Sequence, residues 1–187
     1  MRTAIGVDLG GSHVTAAVIT EDGKIHSQHE RDLSALAFQS VVDALTDTIG
    51  QALKEAGKDA SAIGIGSPGN IEAKTGTVVY SPNFGWKDAP LGEALRANFK
   101  LPLFVGNDAR CATLGEHTFG SGRATKDFAL LTLGTGIGGG IISDGAWCSA
   151  TVSAQASSAI IKFARPMALS ADAARSAVSR RKRRERA

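Results

Sequence analysis

The sequence predicts an α/β fold from its apolar patterns and from two glycine-rich turns. Three strand patterns are followed by a helical pattern, after which strands and helices alternate. The turns, at residues 8–12 and 133–136, each lie between two strand patterns. Glycine has no Cβ, so bare backbone N–H groups in such turns can approach a phosphate. Two turns of this kind predict a nucleotide held in a cleft between two half-domains.

The first half of the chain predicts three strands and a helix. The strands occupy residues 3–8, 13–20 and 25–30, and Asp22-Gly23 is a hairpin turn signal between the second and the third. Apolar residues recur at helical spacing over residues 40–56, and Gly57 follows as a stop signal. The pattern therefore predicts an amphipathic helix after the hairpin strands.

The second half alternates short strands with helices. Strands are predicted at residues 62–66, 77–80, 103–105, 127–133 and 138–143, and helices at residues 91–99 and 109–119. Open α/β sheets bind ligands at the edge where the strands end. The polar residues at such ends are Asp8, Ser67, Asn83, Asn107, Asp108 and Thr135.

The charge of the chain is divided between its body and its tail. Residues 1–148 carry 12 Lys or Arg and 16 Asp or Glu, whereas residues 149–187 carry 9 Lys or Arg and 2 Asp or Glu. Together these counts agree with the net charge of +3. The basic balance therefore belongs to the tail and indicates no nucleic-acid-binding face on the body. The sequence has no apolar run of bilayer length and no room for a signal peptide, and its two cysteines are isolated from each other. We therefore expect a cytoplasmic protein without membrane association.

Asp8 begins the first turn, and two interpretations of it remain open. A carboxylate beside a phosphate adds only repulsion unless a cation lies between them, and Mg²⁺ commonly takes a few carboxylate or water ligands plus phosphate oxygens. The alternative is a polar strand end followed by a hairpin, since Gly10-Gly11 is also a common turn signal. The sequence thus makes Asp8 a candidate Mg²⁺ ligand.

Asn107-Asp108 ends a buried strand and begins a helix. As a helix cap, either residue would satisfy free backbone amides, which explains one polar residue well but not two in succession. As a reacting pair, Asp108 would be a general base toward a substrate hydroxyl that Asn107 orients. Asn83 has a similar ambiguity, because the amide lies among Phe84 and Trp86 and could bind a sugar hydroxyl or belong to an aromatic-anchored turn.

Together these motifs resemble the ROK family of sugar kinases and repressors, which have the actin-like ATPase fold. In chain order, VDLGGSHV resembles the first phosphate motif, GIGSPGNIEAKTGTVVYSPNFGW the sugar loop, VGNDARCATLGE the catalytic Asn-Asp segment and LTLGTGIGGGIISDG the second phosphate motif. The resemblance runs from residue 5 to residue 145. It implies an actin-like ATPase (ribonuclease-H-like) first lobe plus the opening strands of a truncated second lobe.

The resemblance also implies ATP-dependent phosphorylation of a hexose, as in glucokinases, with ATP and Mg²⁺. Asp108 would be the catalytic base and would line the sugar with Gly69, Asn83 and Asn107. The nucleotide phosphates would be cradled by Gly10, Gly11, Ser12, His13, Gly134, Thr135 and Gly136. His13 departs from the family pattern, since many members carry Lys or Asn there. Full-length relatives are expected to be homo-oligomers.

The tail departs from the family pattern altogether. Residues 1–126 are expected to form the first lobe, residues 127–145 the start of the second, and residues 146–187 a basic, disordered tail without the family's Gly-Glu-x-Gly-His and zinc motifs. Back-translated with G/C-ending codons and read from the third base of each codon, residues 149–163 can give the first missing motif. Residues 168–180 can give the zinc motif in the same frame, so the tail is interpreted as a frameshift.

Three function classes remain open on this interpretation. The first is a hexose kinase whose present chain is inactive because its second lobe is lost. The second is a non-catalytic fragment, or a sugar-binding ROK regulator without its DNA-binding domain. Repressor members carry a winged helix before the first phosphate motif, which begins here at residue 8 and therefore favours the kinase. The third, nucleic-acid binding through the basic tail, is the least favoured.

Overall fold

The computed structural model describes residues 2–133 and 137–147. Its strands are β1 (Thr3–Leu9), β2 (His13–Thr20), β3 (Ile25–Asp32), β4 (Ala60–Ser67), β5 (Asn70–Glu72), β6 (Thr77–Ser81), β7 (Trp86–Ala89), β8 (Leu103–Asn107), β9 (Phe128–Leu133), β10 (Ile137–Ser143) and β11 (Ala146–Trp147). Its helices are α1 (Phe38–Ala56), α2 (Leu91–Arg96) and α3 (Asp108–Thr118), with a 3-10 turn at Gly57–Asp59.

A mixed five-stranded sheet forms the centre, in the order β3-β2-β1-β4-β8. The first three strands are antiparallel, as the Asp22-Gly23 hairpin requires, whereas β4 and β8 run parallel to β1. Parallel neighbours need a crossover connection, which α1 supplies between β3 and β4. The carboxyl ends of β1, β4 and β8 consequently meet at one edge of the sheet.

The main core lies between this sheet and α1. Alternate residues of β1 point to one face, and Ile5 and Leu9 are fully buried there. Helical spacing brings Leu45 and Ile49 of α1 onto the same face, where Ile63 of β4 joins them. This apolar core holds the central sheet against α1 and so fixes the position of the edge at which the parallel strands end.

Helix α3 joins the central sheet to a second, three-stranded sheet in the order β11-β10-β9. It contacts β4 and β8 on one side and β9 and β10 on the other. Glycine permits the close approach, since a Cβ at Gly138 of β10 would lie 3.0 Å from Cβ of Ala109 in α3. The helix therefore fixes the start of the second sheet against the end of the first.

A third small sheet, β5-β6-β7, extends from the end of β4. Its last strand is anchored by aromatic side chains: the Phe84 and Trp86 rings stack at 4.4 Å, and Phe38 meets the Trp86 ring edge-on at 5.3 Å. The Trp86 indole N–H donates to the carbonyl of Leu36 at 3.1 Å. These contacts tie the loop before β7 to the start of α1.

The structure confirms the α/β class and corrects several element boundaries. The long helix begins at Phe38, two residues before the sequence pattern predicts, and α2 ends at Arg96 instead of residue 99. Strands β5, β7 and β11 were not predicted, because segments of two to four residues carry too little alternation to recognise. Nearly all of the predicted tail, residues 148–187, lies outside the described residues. Among the residues that are described, no helix is long and apolar enough to cross a membrane.

Candidate functional site

Four of the six polar residues predicted at strand ends, Asp8, Ser67, Asn107 and Asp108, meet at the carboxyl edge of β1, β4 and β8. Asn83 follows β6 of the third sheet, and Thr135 lies outside the described residues. In the sheet register Asp8 lies opposite Gly66, and Gly66 lies opposite Gly106. One residue further along, Ser67 of β4 lies opposite Asn107 of β8. The edge thus presents a carboxylate and an amide on either side of two glycines that leave room above the sheet.

The room above Gly66 is filled by the start of α3. A Cβ at Gly66 would lie 3.4 Å from Cα of Asp108 and 3.7 Å from Cβ of Cys111. The first turn of α3 therefore packs over bare sheet backbone. This close packing brings Asp108 near Asp8, which is on a strand far away in sequence.

The charges of Asp8 and Asp108 interact. Although the Asp8 side chain is largely exposed, its pKa is raised, first by the partial desolvation of its carboxyl and then by the negative charge of Asp108. His13 opposes this rise through its positive charge when protonated. Two carboxylates in one electrostatic neighbourhood are an arrangement that a divalent cation relieves.

The Asn107 side chain both caps α3 and holds Asp108. Its Oδ1 accepts from the backbone N–H of Arg110 at 3.1 Å, which is the capping bond. Its Nδ2 donates to the carbonyl of Gly69 at 3.1 Å and to Oδ1 of Asp108 at 2.9 Å. Capping α3 and holding Asp108 are therefore compatible in one side chain, and the orientation of a substrate hydroxyl by Asn107 stays a prediction.

One oxygen of Asp108 is held and the other is available. Oδ1 accepts both from Asn107 and from the backbone N–H of Ala109, the latter at 2.7 Å. Oδ2 has no hydrogen bond within the part of the chain that the structure describes. An ionised carboxylate fixed through one oxygen can accept a proton at the other, which is the geometry that a general base needs.

The first phosphate-type turn is a tight connection between β1 and β2. The N–H of Gly10 donates to the carbonyl of His13 at 2.9 Å. Oγ of Ser12 lies 3.1 Å from Nδ1 of His13, and a Cβ at Gly10 would lie 3.2 Å from the His13 carbonyl oxygen. A side chain at Gly10 would therefore crowd the turn, and the exposed residues Gly11 and Ser12 remain at its tip.

The sugar loop approaches this turn. A Cβ at Gly11 would lie 4.0 Å from Nδ2 of Asn83, so the exposed Asn83 amide faces the tip of the phosphate-type turn. Asn83 itself follows β6 and precedes the Phe84–Trp86 stack that anchors its loop. Residues predicted for the sugar and residues predicted for the phosphates are therefore neighbours.

Gly69 connects the sugar loop to Asn107. Its φ of +117° is one that residues with side chains rarely adopt, and a Cβ there would lie only 2.4 Å from the Tyr80 carbonyl oxygen. Because the site is so closely packed, the Gly69 carbonyl is held in place to accept from Asn107. Gly69 thus acts through its backbone, and the glycine is needed for its conformation.

The second phosphate-type turn was predicted at Gly134, Thr135 and Gly136, which lie outside the described residues. The strands on either side of it are described. Gly138 lies against Ala109, the residue that follows Asp108, and Leu133 is 80% exposed at the end of β9. Gly138 therefore places the described start of β10 against the first turn of α3.

Two residues near the site, Cys111 and Ser81, were missed by the sequence-based prediction. Burial, followed by the charges of Asp108 and Asp8, raises the pKa of the Cys111 thiol, so the thiol is protonated at neutral pH. Its position three residues after Asp108 in a helix would have indicated a shared face. Ser81 is fully buried within the sugar loop, and its Ser-Pro sequence, which repeats that of the strand-end residue Ser67, could have drawn attention to it.

No cluster of three or more His, Cys, Asp or Glu side chains able to hold a metal lies in residues 2–133 and 137–147. A magnesium ion that keeps several waters and binds phosphate oxygens needs only one or two protein carboxylates. Asp8 fits this limited requirement, because it is exposed and its charge is already disfavoured by Asp108.

Comparisons with known proteins agree with the resemblance. The model of the ROK family matches residues 4–152. A glucokinase of Streptomyces coelicolor is 39% identical over 144 residues, which are 76% of this chain and 44% of that protein. A xylose repressor of Caldicellulosiruptor bescii is 33% identical over 144 residues, 75% of this chain and 36% of the repressor.

A solved structure has the same fold. The crystal structure of a ROK family glucokinase from Streptomyces griseus, in complex with glucose and AMPPNP, superposes with a TM-score of 0.72 at 38% identity, covering 78% of this chain and 46% of that one. This chain therefore spans less than half the length of the glucokinases it matches. The family match, the relatives and the shared actin-like ATPase fold show that the chain belongs to the ROK family.

Proposed function

We propose that this chain carries the hexose-binding and phosphate-binding half of an ATP-dependent sugar kinase site, with Asp108 as its general base. One observation carries the proposal: Asp108 is held through Oδ1 by Asn107 and Ala109, while Oδ2 is left to accept a proton. The similarity to glucokinases, one of them solved with glucose and AMPPNP, supports the choice of glucose and ATP as substrates.

The reaction is an in-line phosphoryl transfer. A hexose hydroxyl gives its proton to Oδ2 of Asp108 as its oxygen attacks the γ-phosphorus of ATP, and the bond from that phosphorus to the bridging oxygen breaks to release ADP. Catalysis of this kind depends mainly on positioning, charge neutralisation and a base. Asn107 and Asn83 would hydrogen-bond the sugar, and the Gly69 carbonyl keeps Asn107 in place.

The phosphates would be bound on the other side of Asp108. The N–H groups of Gly11 and Ser12, with His13 beside them, would bind the phosphates, and Gly11 lies next to the Asn83 amide. The Gly10 N–H already donates to the His13 carbonyl, so Gly10 would contribute by shaping the turn. The segment 134–136 would supply the second set of N–H groups. Asp8 would hold Mg²⁺ through its carboxylate, directly or through water, and the ion would neutralise charge on the phosphate oxygens.

The 187-residue polypeptide is expected to turn over slowly. The site built by the described residues is one wall of a cleft, and the solved glucokinase is about twice as long as the part that this chain matches. Correct alignment of two reactants supplies up to about 7–11 kcal/mol of a barrier reduction. A base with a poorly aligned phosphate loses most of that benefit.

Glucose-dependent ADP release tests the assignment of Asp108. The assay compares this chain with a version whose reading frame is restored after residue 145, each with Asp108→Asn and with Asp43→Asn, an exposed carboxylate of α1. In the restored version Asp108→Asn should lower turnover by at least about 100-fold and leave glucose affinity within a few-fold, because a base acts on the proton. Asp43→Asn should change neither. Turnover of Asp108→Asn near that of the parent would refute the proposal.

A sugar-binding regulator is the second candidate. The similarity to a xylose repressor supports it, and sugar binding through Asn83, Asn107 and Gly69 would be common to both functions. The two candidates differ in phosphoryl transfer. Glucose binding without ADP release in the restored version would favour the regulator.

A further inference from the structure

Two serine hydroxyls of the sugar loop are buried, and within residues 2–133 and 137–147 they have no hydrogen-bond partner. Ser67 and Ser81 are both 0% exposed. Neither Oγ has a partner among the residues that the structure describes. Burial without a partner removes a hydroxyl from water and returns nothing, so it destabilises the fold and calls for a physical reason.

Their positions place both hydroxyls under the proposed sugar site. Ser67 ends β4, lies opposite Asn107 in the sheet and is two residues before Gly69. Ser81 ends β6 and is two residues before Asn83, and its Cα would be 3.0 Å from a Cβ at Gly69. Each unpartnered serine is therefore attached to a segment that carries a sugar-binding candidate.

Proline limits the local partners of both hydroxyls. A serine hydroxyl commonly bonds to a backbone N–H close by in the chain. Both serines are followed by proline, Pro68 and Pro82, which has no N–H, so the first N–H groups after them are those of Gly69 and Asn83. Neither N–H bonds to the serine hydroxyl before it among the described residues.

We propose that Ser67 and Ser81 are positioning residues for the hexose. Their own hydroxyls gain hydrogen bonds only when the Gly69 and Asn83 segments adopt the sugar-bound arrangement. The inference rests on the proposed function, since it presumes that these segments bind the sugar. Being fully buried, the serines do not touch the hexose. They act through the backbone of the loops that do, so the free protein carries the unpaired hydroxyls and the sugar-bound protein does not.

This arrangement predicts effects of opposite sign in the free and bound protein. Ser67→Ala or Ser81→Ala should raise the Tm of the sugar-free chain by about 2–4 °C, because an unpaired buried hydroxyl is removed. The same variants should weaken glucose binding about three- to tenfold, because a bond gained on binding is lost. A merely structural role would not give this combination.

The experiment measures Tm without sugar and the glucose Kd by calorimetry for the wild-type chain, both alanine variants and Thr46→Val. Thr46 is the matched control, since its Oγ1 is likewise buried without a partner among the described residues, but it belongs to α1, which carries no sugar-binding candidate. Thr46→Val should raise Tm and leave the glucose Kd unchanged.

Each other outcome overturns the inference. A lower Tm, or failure of the alanine variants to fold, would show that the hydroxyls already have partners in the free protein. An unchanged glucose Kd in both alanine variants, or an equal weakening in Thr46→Val, would remove the link to the sugar. Absence of glucose binding by the wild-type chain would instead refute the proposed function and the inference with it.

Discussion

At the residue scale, the site depends on carboxylates and a glycine whose contacts in the structure could not be read from their positions in the sequence. The charged form of the exposed Asp8 is disfavoured, and Asp108 is held through one oxygen. Position 69 requires glycine because its φ is positive and because a Cβ there would overlap the Tyr80 carbonyl oxygen. Strand-end position singled out Asp8 and Asp108, and the family resemblance singled out Gly69, but the interactions of all three depend on tertiary contacts that the sequence does not display.

Replacing Asp8 should stabilise the protein while weakening nucleotide binding. Its raised pKa means that the folded protein binds a proton more tightly than the unfolded chain, so stability decreases as pH rises from about 3.8 through the folded pKa. Asp8→Asn removes that penalty and should raise Tm at pH 7 slightly, on the order of 1 °C, with a flatter pH dependence. Thermal unfolding between pH 3 and pH 8, with Asp43→Asn as control, measures it. A lower Tm at pH 7 would contradict the electrostatic account.

Replacing Gly69 should be far more damaging than replacing another glycine of positive φ. Gly69→Ala combines backbone strain with a Cβ 2.4 Å from the Tyr80 oxygen, so it should lower the free energy of unfolding by about 3 kcal/mol or more. A Cβ at Gly57 would meet nothing within 4 Å, so Gly57→Ala, at a φ of +62°, should lower the free energy of unfolding by only about 1 kcal/mol. Urea unfolding of the two variants compares them. Equal losses would show that the contact with Tyr80 is unimportant.

At the scale of elements, the sequence predicted the long patterns and missed the short ones. Helix α1 was recognised because its apolar residues repeat over several turns, whereas β7 and β11 have only four and two residues. The sequence also left the cap and orienting roles of Asn107 as alternatives. The structure shows that one amide side chain caps α3 through its oxygen and holds Asp108 and the Gly69 carbonyl through its nitrogen, while the orientation of a substrate hydroxyl stays a prediction.

The two roles of Asn107 can be separated by substitution. Serine is a comparable N-cap, so Asn107→Ser should keep α3 and change the free energy of unfolding by less than about 1 kcal/mol. It cannot donate to Gly69 and Asp108 as the amide does, so glucose affinity should decrease about tenfold. Urea unfolding and calorimetry give the two values. A variant that binds glucose normally would show that the amide positions nothing.

At the scale of the whole molecule, the fold explains why residues far apart in sequence form one site. Parallel strands β1, β4 and β8 end at one edge, and α3 starts there. The division at residues 126 and 127, and the interpretation of the tail as a frameshift, stay predictions. The family match reaches residue 152, a little beyond the segment in which the motifs were recognised.

The frameshift interpretation predicts a defined feature of the gene. A one-base slip should lie near codons 145–149, followed in another frame by codons for the missing Gly-Glu-x-Gly-His and zinc motifs. Sequencing the locus measures this directly. An encoding DNA in which no frame continues with those motifs would contradict it, and the basic tail would then need another explanation.

The central claim, that one sheet edge binds both hexose and nucleotide, is tested most directly by a heteronuclear NMR titration of the chain. Glucose should shift the amide resonances of Gly69, Asn83 and Asn107, and AMPPNP with Mg²⁺ should shift those of Gly11, Ser12 and His13. Residues around Phe104 and Phe119, which line a groove at the opposite edge of the sheet, should not respond to either ligand. Shifts confined to that groove, or no shift at the sheet edge at saturating ligand, would contradict the account.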